Sequence, residues 1–195
     1  MNDQIKYGIV GAFVGGIVIW LLMTTVVSPN KTGMMGNIDQ HFIEQMIPHH
    51  EDAITMANMA LKKATHDEIK ILAQDIITSQ QSEIDKMKTW YKDWYGNDVP
   101  QDEKVMGGHG MQKPQGMHMG MMGDVSDMTR LEQATDFDKA FVEEMIPHHQ
   151  MAVMMASMLK NGTNRPEMKK LADDITTAQT NEIDQMRGWL IEWEK

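Results

Sequence analysis

Apolar side chains recur every three or four residues from Phe42 onward, and this stripe predicts an amphipathic helix over about Ile38–Lys62. At about 100° per residue, one face collects Phe42, Met46, His49, Ala53, Met56 and Ala60. Glu44, Glu51, Asn58 and Lys62 fall on the opposite, wet face. A second helical run, over about Asp67–Tyr95, lines up Ile69, Leu72, Ala73, Ile76, Gln80, Glu83, Met87, Trp90 and Trp94. The stretch KKATHDE between them supplies a turn, so the two runs predict a helical hairpin.

The pattern then repeats. Placing His148 on His49 lays FVEEMIPHH on FIEQMIPHH and LADDITTAQTNEIDQMRGWLIEW on LAQDIITSQQSEIDKMKTWYKDW, without a gap. Roughly half of the aligned positions are identical, which marks an internal duplication. In the second copy, Gly162 suits a helix C-terminus and Pro166 the first turn of the next helix. Two hairpins in series predict an all-α fold, a four-helix bundle. Pro48 and Pro147 lie inside the first helix of each copy, beside the histidine pairs, and predict a kink there.

Two features break the plain core pattern. His49 sits near the middle of its apolar stripe, with His50 about a quarter-turn away towards the edge, and His148 and His149 repeat this. Glu83, with Gln80 beside it, puts a carboxylate in an apolar row, matched by Glu182 and Gln179. Such a carboxylate is costly to bury unless it is paired or coordinated. A hairpin folding back near Ala64 would set Gln80 and Glu83 opposite His49 and Met46. Glu83 could then serve a buried polar pair with His49 that fixes the register, or orient an imidazole that holds a metal.

The flanking segments read differently. Tyr7–Val27 carries no charge, and its length suits a hydrocarbon core, which predicts one retained transmembrane helix after a short cytoplasmic tail. Gly8, Ala12 and Gly16 form a small-xxx-small row of the kind that pairs two such helices into a homodimer. The expected organisation is a tail at 1–6, a membrane span at 7–27, a linker at 28–38, a hairpin at 39–95, a loop at 96–135 and a second hairpin at 136–195. The bulk of the chain is expected on the periplasmic or extracellular side of the cytoplasmic membrane. In the loop, glycine and proline exclude a regular element, and the side chains of note are Met106, His109, Met111, Met117, His118, Met119, Met121 and Met122.

Composition sharpens the chemistry. The 195 residues carry a net charge of −10, which repels phosphate backbones and argues against nucleic acid as a partner. There are 22 methionines and no cysteine. Methionine fills irregular cores well, but packing does not explain methionines among glycines. Thioether sulfur with imidazole suits soft or borderline ions, above all Cu(I) and by extension Ag(I). Thioethers form no disulfides, so they remain usable ligands where thiols would pair. The candidate ligands in the bundle are Met46, His49, His50, Met56 and Met59, with Met145, His148, His149, Met155 and Met158 in the second copy. Gln80, Glu83, Gln179 and Glu182 are the groups expected to orient the imidazoles.

The doubled Fxx(E/Q)MIPHHxxAxxMA pattern resembles the bacterial family catalogued as domain of unknown function 305, from about Asp39 to the C-terminus. That resemblance implies a ferritin-like four-helix fold and relatives that are secreted or membrane-anchored copper-binding proteins implicated in copper resistance. It also implies that Met46, His49, His50, Met145, His148 and His149 occupy the family's characteristic positions. The motif does not decide which of them bind metal.

The expected function is therefore that of a membrane-anchored copper-binding protein, for sequestration, transfer or resistance, with an exporter or chaperone as the partner class. It is not expected to be an enzyme. A di-metal carboxylate oxidase would use Glu-x-x-His on inward faces, and neither Glu44 nor Glu83 is followed by histidine at that spacing. A different reading makes Trp90/Trp94 and Trp189/Trp193 docking points of an interaction module.

Overall fold

A computed structural model describes residues 35–100 and 128–193. All regular structure among them is helical: α1 (Met35–Lys63), α2 (Asp67–Tyr95), the short α3 (Met128–Gln133), α4 (Phe137–Gly162) and α5 (Pro166–Trp193). The four long helices form a bundle in which α1 packs on α2, α4 on α5, and α1 on α4. The two repeats thus meet along their histidine-bearing helices. Among the described residues no helix is long and apolar enough to cross a membrane. The span expected at Tyr7–Val27 and the Met/His positions from Met106 to Met122 lie outside the described residues.

The helices follow the apolar periodicity closely, α1 beginning three residues before the expected Ile38 and α2 spanning the expected range. Pro48 and Pro147 sit inside α1 and α4, and neither ends its helix. Gly96 closes α2 with φ 75°, the left-handed geometry that glycine adopts without strain. Gly162 has a different role from a left-handed stop, since the cap of α4 is Thr163 in extended geometry. A Cβ at Gly162 would meet the side chain of Ile38 on α1, which would have to shift.

The first hairpin turn is capped from the other repeat. His66, the N-cap of α2, makes no capping bond with its own side chain. Instead the buried carboxylate of Asp138 on α4 accepts from the Thr65 and His66 amides, at 3.0 and 2.8 Å. It also accepts from Thr65 Oγ1 at 2.6 Å. Those bonds satisfy amides that a helix start leaves without partners, and they tie one repeat to the other. Burial by itself would raise the Asp138 pKa, but the bonds from Thr65 and His66 prevail and hold it below the ordinary carboxylate value.

The duplication places Asp39 where the second repeat has Asp138, and Asp39 is likewise buried. Its partner is Arg165, whose Nε lies 3.2 Å from Asp39 Oδ2. The tryptophans finish both joints. The Arg165 guanidinium lies 3.9 Å from the Trp94 ring centroid, and His66 stacks on Trp193 at 4.5 Å. Each joint thus clamps the hairpin turn of one repeat between an aspartate and a tryptophan.

Candidate metal centre

Along α1, Met46 and Ile47 belong to one core cluster and Ala53 and Met56 to the other, with His49 and His50 between them. Along α4, Met145 and Ala152 bracket His148 and His149 in the same manner. All four imidazoles are buried. The quarter-turn between adjacent histidines lets each face a different neighbour. His49 meets His148 across the α1–α4 contact, with ring centroids 3.7 Å apart and planes tilted by 35°. His50 faces α2, where its Nε2 lies 2.7 Å from Glu83 Oε2. His149 makes the equivalent bond to Glu182 Oε2 on α5, at 2.6 Å.

This corrects two expectations. His50 is not at the edge of the buried face, because α1 has neighbours on two sides and its buried arc is correspondingly wide. Glu83 pairs with His50 rather than His49. The turn occupies residues 64–66, beyond the assumed fold-back at Ala64, so the level of α2 shifts along α1.

Six buried imidazole nitrogens have no hydrogen-bond partner: both of His49, both of His148, and Nδ1 of His50 and of His149. An orphaned buried polar atom costs about 1–3 kcal/mol. Burial is the largest reason that the His49 pKa falls to about 3, with His50 and His149 adding repulsion. It likewise takes His148 to about 2, helped by His49, His149 and His50. Both are therefore neutral over the physiological range and keep a free lone pair. In a neutral His50, the carboxylate of Glu83 accepts a hydrogen bond from Nε2–H, which leaves Nδ1 as a bare acceptor.

Thioethers line both sides of this layer. Met46, Met87 and Met155 share one cluster, and Met145, Met186 and Met56 share the other. The first cluster also holds Met168, whose counterpart is Ile69; the duplication exchanges the two sets of three, so each draws two sulfurs from one repeat and one from the other. Met87 and Met186 were not among the sequence candidates. Their signal was present: each follows its glutamate by one helical turn, on the same stripe, and Met46 and Met145 precede their histidines by one turn. Met59 is partly buried against the cluster of Met56, whereas Met158 is 63% exposed and stands apart from the histidines. Gln80 and Gln179 are buried with Oε1 unpartnered, and neither shares a hydrogen bond with a histidine.

Among the described residues no group of three or more His, Asp or Glu side chains is arranged to hold a metal ion. A cation in this layer would draw on sulfur as well as nitrogen, which is the donor set of a soft ion.

A model of the family described as a domain of unknown function (DUF305) matches residues 39–190. The chain belongs to that family. Solved structures of CopM, in apo, silver-bound, Cu(I)-bound and Cu(II)-bound forms, are similar to it. The Cu(I)-bound form is 48% identical with a TM-score of 0.67, over 80% of this chain and 98% of that one. A DUF305 fragment from Deinococcus radiodurans is 27% identical with a TM-score of 0.61, over 80% of this chain and 96% of that one. Uncharacterized protein L153 of Acanthamoeba polyphaga mimivirus is 45% identical over 60 residues, 31% of this chain. The match spans only 40% of that viral protein.

Proposed function

We propose that this DUF305 protein binds copper as Cu(I), and Ag(I) in the same place, between the helices of a ferritin-like four-helix bundle. The observation that carries the reading is the set of six unpartnered imidazole nitrogens buried beside methionine sulfur. Neutral nitrogen and thioether donors need no deprotonation, and they leave a monovalent ion's charge in place within an acidic protein. The similarity to CopM, solved with Cu(I), Cu(II) and silver, supports the same cargo.

The ligands come from Met46, His49, His50, Met56 and Met87, with Met145, His148, His149, Met155 and Met186 as the second set. Glu83 and Glu182 orient His50 and His149 through their Nε2 atoms. The methionines and histidines from Met106 to Met122 act as an exchangeable collecting segment, a role supported by their composition. Tyr7–Val27 anchors the chain in the cytoplasmic membrane with the bundle outside, for sequestration or for transfer to an exporter or chaperone.

Titrating residues Ser28 onward with Cu(I) or Ag(I) tests the reading through melting temperature, because a ligand bound only by the folded state raises it. The expected result is a rise that a competing chelator reverses, and that a variant lacking the bundle histidines and methionines does not show. Indifference of the melting temperature to both metal and chelator would instead favour a docking module. Against that module, Trp94 and Trp193 are already engaged by Arg165 and His66 inside the chain.

A further inference from the structure

Three methionines on α4 lead from solvent towards the buried imidazoles. Met158 is 63% exposed and Met154 is 41% exposed, one helical turn nearer the histidines. Met151, three residues further on, is partly buried against the cluster that holds Met46 and Met87. His148, three residues beyond that, is fully buried. Steps of three and four residues keep neighbours on adjoining turns, with Cβ atoms about 5–6 Å apart. Core filling does not account for Met158, which is mostly exposed, and accounts for Met154 only in part. Nor does the fold demand sulfur along the whole row, because the duplication aligns Met151 and Met154 with Asp52 and Thr55, while Met158 aligns with Met59.

We propose that Met158, Met154 and Met151 form a thioether ladder that captures a soft monovalent cation at the surface and passes it inward to His148. Met154 and Met158 are the capture pair, two sulfurs on successive turns with room to close on one ion that accepts few ligands. Each step forms one metal–ligand bond as another is released, and no electron or proton moves because every donor is neutral. The route belongs to the second repeat alone. It rests on the copper-binding reading of the bundle, yet concerns residues that reading does not need for the interior site.

The test follows transfer of Cu(I) from a coloured chelate to the full chain, by stopped-flow absorbance, for wild type and for M151L/M154L/M158L. Leucine keeps the volume and removes the sulfur, so the fold is retained, as circular dichroism will verify. The variant is expected to load about tenfold more slowly and to hold one ion fewer, with the metal-induced rise in melting temperature kept. Met168→Leu, at a buried methionine of α5 outside the ladder, is expected to leave the rate unchanged. A triple variant that matches wild type in rate overturns the ladder while leaving the interior site standing. A wild type that takes no Cu(I) from the chelate overturns the copper reading itself, and the ladder with it.

Discussion

His49 and His148 occupy equivalent places in the two repeats and meet with ring centroids 3.7 Å apart, with no hydrogen-bond partner for any of their four ring nitrogens. Their pKa values fall to about 3 and about 2, chiefly through burial. An unfolded chain accepts these protons near the ordinary value of 6.5, whereas the folded one does not until far lower pH. The stabilisation is therefore complete above pH 6.5 and lost as pH falls from there towards 3. Each histidine steepens the dependence by about 1.4 kcal/mol per pH unit within that window. Urea unfolding of the metal-free protein at pH 7, 5.5 and 4.5 is expected to show this decline. His148→Leu should flatten it by about half; an unchanged slope would mean that the pair does not govern acid sensitivity.

The bond between His50 Nε2 and Glu83 Oε2 sets which nitrogen of His50 is free. Glu83→Gln keeps an acceptor of the same shape but removes the charge that makes Nδ1 more basic. Losing such a supporting carboxylate lowers metal affinity about ten- to a hundredfold. Competition with a Cu(I) chelator is expected to show that drop for Glu83→Gln and again for Glu182→Gln, with stability close to wild type. Full affinity in both variants would reduce the carboxylates to fold-register groups.

Much of this arrangement was legible along the chain. The 3.6-residue period of Phe42, Met46, His49, Ala53 and Met56 makes α1 visible, because one face of that helix is buried from Asp39 to Ala60. The duplication made the bundle visible. What a linear pattern cannot carry is which of two neighbours a residue faces. His49 and His50 differ by only a quarter-turn, yet one meets the other repeat and the other meets its own hairpin. The capping of Thr65 and His66 is hidden for a related reason: the cap comes not from the turn's own residues but from Asp138 across the bundle.

That distant cap makes the two inter-repeat joints unequal. Asp138 accepts bonds from Thr65 and His66, whereas Asp39 has Oδ1 without a partner and Oδ2 on Arg165. Asp138→Ala strips a helix cap and removes the acceptor of the Thr65 and His66 amides and of Thr65 Oγ1 together, a loss of about 3 kcal/mol. Asp39→Ala is expected to cost about 1.5 kcal/mol, the low end for a single hydrogen bond to a charged group. Chemical denaturation of the two variants gives the comparison. The lowered Asp138 pKa adds a sign: its contribution is full above the ordinary carboxylate value near 3.8 and fades as pH falls through the folded one. The gap between the variants should therefore narrow in strong acid.

Met87 and Met186 separate ligand from filler most cleanly. Both are fully buried, one turn from Glu83 and Glu182, in the clusters that hold Met46 and Met145. Leucine at either position preserves volume and apolarity and costs less than about 1.5 kcal/mol when a core site is purely structural. It removes the sulfur outright. If these thioethers complete the donor sets, Met87→Leu and Met186→Leu each lower Cu(I) affinity about tenfold, while the metal-free melting temperature shifts by only a few degrees. Met168 provides the internal standard, because it is equally buried but its counterpart in the first repeat is Ile69, which has no sulfur to offer. Met168→Leu is expected to leave affinity unchanged. Equal affinities for all three variants in a chelator competition would assign Met87 and Met186 to packing alone and confine the metal's sulfur donors to the histidine-bearing helices.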